Sequence, residues 1–188
     1  IPLPTTVITN QPKAMTTDGT DLFIVIEASP KDRIIKVNTE GILQSSFGTG
    51  GVATGPSDDV NGLAWVGSTL YAAGSAQVSC PPNCGGGNGA TIWSLNASTG
   101  ATTDTTTYNN IYGQFTGLAY DGTNLIATTF EGYGWQFQSI SPSNLSSSDQ
   151  KQVNNTMGMS SPGSIVYAAG SNWVAQSSGS MLAAFDLS

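Results

Sequence analysis

Short apolar runs separated by glycine-centred turns recur four times along this chain. In the copy Phe115–Thr129, apolar residues alternate with small ones, Asp121-Gly122 reverses the chain, and a second apolar run follows. Alternation with a period of two indicates a β-strand, and Asp-Gly between two such runs indicates a tight hairpin because glycine tolerates positive φ. The other three copies are Pro12–Ile26, Val60–Gly74 and Ser164–Ser178. Each copy therefore predicts an antiparallel hairpin.

A further apolar segment follows each hairpin, at Arg33–Asn38, Thr91–Asn96, Gln136–Ser141 and Met181–Leu187. The turn glycines at 19, 67, 122 and 170 recur at intervals of 48, 55 and 48 residues, and the longer interval holds an inserted loop near residues 77–87. A period in the forties with three to four strands per unit predicts propeller blades, which must pack face to face. We therefore expect an all-β fold. The chain would form one β-propeller domain of four repeats of about 48 residues, with blades near 13–58, 59–113, 114–162, and 163–188 plus 1–10.

The first three units contain a fourth, outer apolar or Thr-rich segment, at Ile42–Phe47, Ala101–Tyr108 and Gln150–Thr156. The last unit has no such segment, whereas the β-branched stretch Thr5–Thr9 has no partner in the first unit. We expect Thr5–Thr9 to supply the missing strand, either within its own chain, which closes the ring, or in a neighbouring chain, which allows filaments. A third possibility is that the 188 residues are half of a larger ring.

Charged residues make up only 9% of the chain, and the net charge is −7. Ordinary globular domains carry roughly 25% charged residues, so this surface is covered mainly by hydroxyl and amide groups. Such a surface is typical of extracellular or cell-surface proteins, which is the location we expect. No basic patch of useful size favours nucleic acid or an anionic membrane, and no apolar run approaches the roughly 20 residues that span a bilayer.

Two cysteines, Cys80 and Cys84, lie in the inserted loop, and the chain has no histidine. We favour a local disulfide over free thiols, and free thiols over a metal site, because structural zinc requires four nitrogen or sulfur ligands. A disulfide would again indicate an oxidising compartment. Three N-x-S/T sequons make glycosylation candidates, although a chain rich in Asn, Ser and Thr also forms such sequons by chance: Asn96, Asn144 and Asn154. We expect no cofactor and no metal.

The repeat motif resembles the repeats of extracellular NHL-like and YncE-like β-propellers. The match rests on Gly62-Leu63-Ala64-Trp65, Gly117-Leu118-Ala119-Tyr120 and Ile92–Gly100, and it covers nearly the whole chain. The motif is structural and contains no catalytic residue. In similar propellers, ligands bind on the face formed by the loops between strands two and three and between blades. The resemblance therefore implies candidate ligand-binding residues on that face, namely Glu27, Asp58, Asp59, Tyr112, Glu131, Tyr133 and Trp135.

Each of these candidates also has a structural interpretation. Asp58-Asp59 lacks the alternating acidic pattern of a calcium loop and is more typical of a capped turn. Glu131 with Tyr133 and Trp135 could hold a sugar, but aromatic residues are common in strands for packing alone. For Trp65 we expect a packing position between blades.

We expect a non-catalytic module that binds a protein or glycan partner, including itself, with a filament or surface layer as one form of self-assembly through the N-terminal strand. The absence of histidine excludes a Ser-His-Asp or Cys-His nucleophile system. The alternative is a lectin or a carbohydrate-active enzyme that uses the loop-face carboxylates and aromatic residues.

Overall fold

The computed structural model describes residues 10–57, 59–77, 88–131, 134–154, 162–168, 171–176 and 182–185. This part of the chain contains strands, turns and loops but no helix, and therefore no helix long and apolar enough to cross a membrane. The fifteen strands within these described ranges are β1 (Pro12–Thr17), β2 (Leu22–Ile26), β3 (Arg33–Val37), β4 (Val52–Thr54), β5 (Val60–Val66), β6 (Thr69–Gln77), β7 (Asn88–Asn96), β8 (Thr102–Tyr112), β9 (Phe115–Tyr120), β10 (Leu125–Glu131), β11 (Gly134–Ile140), β12 (Ser147–Asn154), β13 (Pro162–Ala168), β14 (Ser171–Gln176) and β15 (Leu182–Phe185). The expected all-β class is confirmed.

Each sequence unit forms its own antiparallel sheet, with the strands in chain order. The first sheet is β1-β2-β3-β4, the second β5-β6-β7-β8 and the third β9-β10-β11-β12. The fourth sheet, β13-β14-β15, has three strands in the described part of the chain. The predicted hairpins and the strand that follows each of them are therefore present in all four units.

The outer strand of the first sheet differs from the prediction. It is β4, where Val52 pairs with Ile35, and not the expected segment Ile42–Phe47. The Asn38 side-chain oxygen accepts hydrogen bonds from the backbone N–H groups of Glu40 and Ile42 and folds the chain into a turn. A loop therefore precedes the outer strand and carries Phe47 into the core.

Pairing also corrects the alignment of the fourth copy. Leu70 pairs with Leu95, and Leu125 pairs with Ile140, as the repeat predicts. Leu70 and Leu125 each lie three residues after their turn glycine, so the sequence aligns Trp173, three residues after Gly170, with them. In the fourth sheet it is Asn172, and not Trp173, that pairs with Phe185. A shift of one residue exchanges the two faces of a strand, so the fourth copy is out of step with the sequence alignment.

The four sheets are arranged in series through their first strands. Strand β1 lies beside β5, β5 beside β9, and β9 beside β13. At Gly62 a Cβ atom would lie 2.5 Å from the backbone nitrogen of Leu118, so only glycine allows this approach of β5 to β9. Over the described residues, β1 makes no comparable contact with β13. The series is therefore open, and the expected closed four-blade propeller is not shown; residues 1–9, with the predicted strand Thr5–Thr9, lie outside the described residues.

Aromatic packing fills the space between the first and second sheets. The ring of Phe23 stacks on Trp65 with centroids 5.3 Å apart, and its edge meets Phe47 at 5.4 Å. The buried residues around them come from both sheets and include Val25, Ile34, Leu63, Leu70, Trp93 and Leu95. The expected position of Trp65 between two sheets is confirmed.

Two tyrosines connect the second sheet to the loop between β11 and β12. The Tyr108 hydroxyl donates to the Leu145 carbonyl (2.7 Å), and the Tyr71 hydroxyl donates to the Pro142 carbonyl (2.8 Å). Burial raises the pKa of the Tyr108 phenol, so this hydroxyl remains a donor over the physiological pH range. The surrounding core contains Ile92, Phe115, Leu118, Leu125 and Ile140.

A small ion-pair cluster lies at the β1–β2 turn. The Lys36 Nζ atom is 3.2 Å from Asp18 and 3.1 Å from Asp21, and it lies 5.0 Å from the centroid of the Phe23 ring. Burial alone would raise the pKa of Asp18, but hydrogen bonds from the Asp21 and Thr20 N–H groups and the Lys36 ammonium outweigh burial and lower that pKa. Burial would likewise lower the pKa of Lys36, but the two carboxylates raise it.

We predict that Gly62→Ala lowers the free energy of unfolding by about 1–3 kcal/mol, because the added methyl group must push β5 away from β9. Urea denaturation followed by circular dichroism measures the change. Thr105→Ala, on the exposed outer strand β8, is the control and should stay within about 0.5 kcal/mol of the parent. A Gly62→Ala protein as stable as the parent would contradict the close approach of the two strands.

We predict that Asp18→Asn destabilises the protein at neutral pH and that the difference disappears in acid. The lowered pKa of Asp18 means that its contribution is fully present above the unfolded pKa of about 3.8 and is lost as the pH falls through the folded value. Asparagine keeps the oxygen that caps the turn, so the comparison isolates the charge. The free energy of unfolding should be measured between pH 2 and pH 7. A stability difference that is constant over this range would refute the charge contribution.

Candidate functional site

Each first strand carries a β-bulge near its beginning. The pairing register skips between Pro12 and Ala14, between Val60 and Gly62, and between Pro162 and Ile165. In the third sheet, Phe115 and Gly117 pair with the adjacent residues Thr129 and Thr128. A bulge releases one residue from the strand ladder and redirects its side chain, and bulges are common beside functional sites. The residues released in the first three sheets are Lys13, Asn61 and Thr116.

Lys13 joins the first sheet to the second through two carboxylates. Its Nζ atom lies 2.9 Å from Asp32 Oδ2 and 3.6 Å from Asp59 Oδ1. Asp32 is completely buried, and its oxygens also accept hydrogen bonds from the backbone N–H groups of Val60 (2.9 Å) and Ala28 (3.2 Å). A carboxylate from the β2–β3 loop therefore fixes the first residue of β5.

Asp59 continues this polar network to the third sheet. Its Oδ2 atom accepts a 2.6 Å hydrogen bond from the Ser75 hydroxyl, and its Oδ1 atom accepts one from the Asn61 amide at 2.9 Å. The Asn61 amide also donates to the carbonyl of Phe115, the first residue of β9, at 3.2 Å. Lys13 therefore contacts Asp59, the residue immediately before β5, and Asn61 binds Phe115, the first residue of β9.

The hydrogen bonds of this cluster hold both carboxylates in place between the sheets. Both oxygens of Asp32 and both oxygens of Asp59 accept a hydrogen bond, and the Lys13 ammonium lies between the two carboxylates. Lys13 keeps 22% of its side chain exposed and is the member of the cluster best placed to meet an acidic group. Within the described ranges, no group of three or more Asp, Glu, Cys or His residues is placed to hold a metal.

Asp59 is the predicted site residue that the structure brings into this cluster. Glu27, which follows β2, is bound to the segment that precedes β1. Its N–H donates to the Gln11 carbonyl (3.1 Å), and its carbonyl accepts from the Asn10 amide (2.8 Å). The Glu27 residue itself is exposed. Asp58 and Tyr133 lie outside the described residues, as do both cysteines, Cys80 and Cys84.

The remaining predicted ligand residues are placed by their strand positions. Glu131 ends β10 and pairs with Gly134, and Trp135 pairs with Phe130 on the same hairpin. Tyr112 ends β8 and pairs with Gly89. Glu131 and Trp135 therefore lie near one end of the β10–β11 hairpin, while Tyr112 belongs to a different sheet.

Two of the three sequon asparagines are exposed: Asn96, which ends β7, and Asn144, which lies in a turn. The Asn96 side-chain oxygen accepts from the N–H groups of Ser98 and Thr99, both at 2.9 Å. The Asn144 oxygen accepts from the N–H of Ser146 at 3.0 Å and from its hydroxyl at 2.8 Å. Asn154 ends β12. Their use as glycosylation sites stays a prediction.

Sequence reasoning missed the polar residues that form the cluster with Asp59, namely Lys13, Asp32, Asn61 and Ser75. Lys13, Asn61 and Thr116 are the second residues of the first three copies, so a polar residue at this position of three copies was the available signal. Recognising the bulges would have required the strand register, which this signal does not provide.

No known family model matches this chain, and no curated protein sequence matches it. Among solved structures, the chain is similar to a luciferin-regenerating enzyme, with 15% identity and a TM-score of 0.55. The similarity covers 89% of this chain and 53% of that protein, so the chain spans about half of its length. At this identity the likeness shows the fold alone. The expected resemblance to NHL-like and YncE-like propellers is wrong, because the structural similarity is to this enzyme and the described sheets do not close.

We predict that Lys13→Met lowers the free energy of unfolding by about 3 kcal/mol, because it leaves the buried Asp32 carboxylate without its cation. Methionine preserves most of the unbranched side chain. Lys31→Met, a change on the exposed β2–β3 loop, is the charge-matched control and should stay within about 0.5 kcal/mol. Thermal or urea unfolding measures both. Equal effects of the two substitutions would show that the Lys13 ion pair does not join the sheets.

Proposed function

We propose that this protein is a non-catalytic extracellular module that binds a second copy of itself by β-strand addition to the fourth sheet. The observation that carries the proposal is the strand count. Three sheets have four strands, and the fourth has three in the described part of the chain. The outer edge of β15 is then the place equivalent to β4, β8 and β12. An edge strand with free N–H and C=O groups is a template for another strand.

The proposed donor is Thr5–Thr9. This segment consists of β-branched residues, which favour strands, and it follows Pro2 and Pro4, which cannot continue a central ladder. With this strand added, the fourth sheet gains the four strands of the other sheets, and the fold becomes a four-blade propeller built from repeats of about 48 residues.

An apolar flank of the first sheet supports this extension. Ile24, Ile26, Ile35 and Val37 form a buried cluster on the face that does not pack against the second sheet. Leu22, Leu43 and Val52 are the partly buried hydrophobic residues packed against that cluster. A sheet that is apolar on both faces is expected when a neighbour lies on each side, as in a series of blades.

Donation between copies is preferred over closure within one chain. Asn10 and Gln11 immediately precede β1, and both hydrogen-bond to the backbone of Glu27 at the loop end of the first sheet. Strands β1 and β2 make no extended contact with β13, β14 or β15 over the described ranges. The described residues therefore show no route by which Thr5–Thr9 runs from the first sheet to the fourth sheet of the same chain. The extracellular assignment draws on the 9% charged residues, on the two cysteines, for which we expect a disulfide, and on the sequons.

Glycan binding is the second candidate function, and one specific arrangement favours it. Glu131 ends β10 at the loop end of the β10–β11 hairpin, where an acidic residue could bind the hydroxyl groups of a sugar. Saturable binding on a glycan array that Glu131→Gln removes would support a lectin. Turnover of a bound glycan, also lost in Glu131→Gln, would instead support a carbohydrate-active enzyme.

We predict that the full chain forms a species well above 19.3 kDa in light scattering and that deletion of Ile1–Asn10 returns it to monomer. Ile8→Pro should have the same effect, because proline removes a ladder N–H group. Ile8→Val, which keeps strand propensity, is the matched control and should assemble like the parent.

Two results would overturn this proposal. A full chain that is monomeric at all concentrations, and that loses stability on deletion of Ile1–Asn10, would show closure within one chain. An assembly whose size is unchanged by the deletion and by Ile8→Pro would show that copies meet through another surface.

A further inference from the structure

A recess of about 330 Å³ opens at the turn end of the inner strands. Its walls come from the last residues of β1, β5 and β9, with Leu22 from β2. This is the opposite end of these strands from Lys13, the second residue of β1, and from Asp59, the residue before β5. The recess is therefore separate from the polar cluster. Concave, mainly apolar spaces of a few hundred Å³ are the usual form of small-ligand sites.

Aromatic and apolar side chains line this recess. Trp65 and Tyr120 are both partly exposed there, and Trp65 stacks on Phe23 behind it. The Tyr120 hydroxyl is occupied by a 2.7 Å hydrogen bond to the Gly122 carbonyl, so the ring contributes mainly its apolar body. Met15 is 61% exposed, although it is apolar. The faces of aromatic rings carry negative potential and attract cations, most strongly in tryptophan.

The rim of the recess carries an excess of negative charge. Asp18 follows the lining residue Thr17, Asp21 precedes Leu22, and Asp121 follows Tyr120. Lys36 is the cation paired with the first two, at 3.2 and 3.1 Å, and it lies over the Phe23 ring. The Asp121 side-chain oxygen accepts from the N–H groups of Thr123 and Asn124 and has no ion pair with a described residue. The rim therefore carries three carboxylates and one ammonium group, and its net charge is negative.

We propose that this recess binds a small organic cation, in which an ammonium group carries an apolar body. The apolar body would replace water against Met15, Trp65 and Tyr120, and the positive charge would meet the ring faces and the acidic rim. A neutral apolar molecule would use the walls without the rim, and an inorganic cation would use the rim without the walls. The combination of the two surfaces is what selects an organic cation.

The test compares two probes of the same shape on the full chain. Choline carries a quaternary nitrogen where 3,3-dimethylbutan-1-ol has a carbon atom, so the pair differs only in charge. Titration is followed by the NMR signal of the Trp65 indole N–H, assigned with a Trp65→Phe protein. We expect choline to shift this signal saturably and to bind at least about fivefold more tightly than the alcohol, which is the expected range for one cation–π contact.

Substitutions at the rim and wall separate the two contributions. Asp121→Asn keeps the oxygen that caps the turn but removes its charge, and it should weaken choline binding about two- to threefold. Asp104→Asn, an identical change on the exposed strand β8, is the control and should have no effect. Trp65→Leu should weaken binding about fivefold or more, measured by calorimetry.

Binding of the alcohol as tightly as choline would overturn the cation proposal. So would the absence of a saturable shift with choline, or an equal loss of affinity in Asp121→Asn and Asp104→Asn. Because Asp121 lies in a surface turn, its result decides the question even if Trp65→Leu does not fold.

Discussion

The contact between successive inner strands is the constraint on which the rest of this structure depends. Gly62 lets β5 approach the backbone of β9, and Asn61, released by the bulge beside it, binds the carbonyl that begins β9. Lys13 repeats this arrangement one sheet earlier through the buried Asp32 and through Asp59. A single sheet of this kind cannot cover both of its apolar faces, so these contacts provide the geometry in which one sheet buries the next.

The two ends of the inner strands differ in chemistry, and this difference organises the functional proposals. At the bulged end, polar side chains are mutually satisfied and hold the sheets in place. Their removal would expose an uncompensated buried charge, which is costly, whereas their rearrangement around a substrate would sacrifice the connection between sheets. At the turn end the strands leave an apolar recess with acidic turns around it. A binding role therefore fits the second end better than the first.

Much of the fold follows from local sequence patterns. Asp121-Gly122 is flanked by runs with a period of two, and the structure places β9 and β10 on either side of it, with Leu125 opposite Tyr120. The outer strand β4 could not be predicted, because the capping oxygen of Asn38 and the glycines that follow it override the apolar pattern at Ile42–Phe47. The bulges at Lys13 and Asn61 depend on register, which is a property of two strands together and not of either one.

Long-range arrangement was the least accessible from the sequence. The repeat predicted four sheet units, and four sheets are present, but a period in the forties does not decide whether the first and last sheets meet. The same motif led to the wrong family. Gly-Leu-Ala followed by an aromatic residue indicates how an inner strand packs, and it does not indicate common ancestry. Asp59 was identified among the candidates, while Ser75 and Lys13 were not, since the hydrogen bond from Ser75 and the ion pair with Lys13 join residues distant in the chain.

Native-state hydrogen exchange tests most directly whether the inner-strand contacts unite the sheets. The account predicts that amides in β1, β5 and β9, including the Val60 N–H bound to the buried Asp32 carboxylate, exchange with one shared free energy of opening equal to that of global unfolding. If the amides of β1, β2 and β3 exchange at a free energy well below those of β5 to β12, the first sheet opens independently and the account is contradicted.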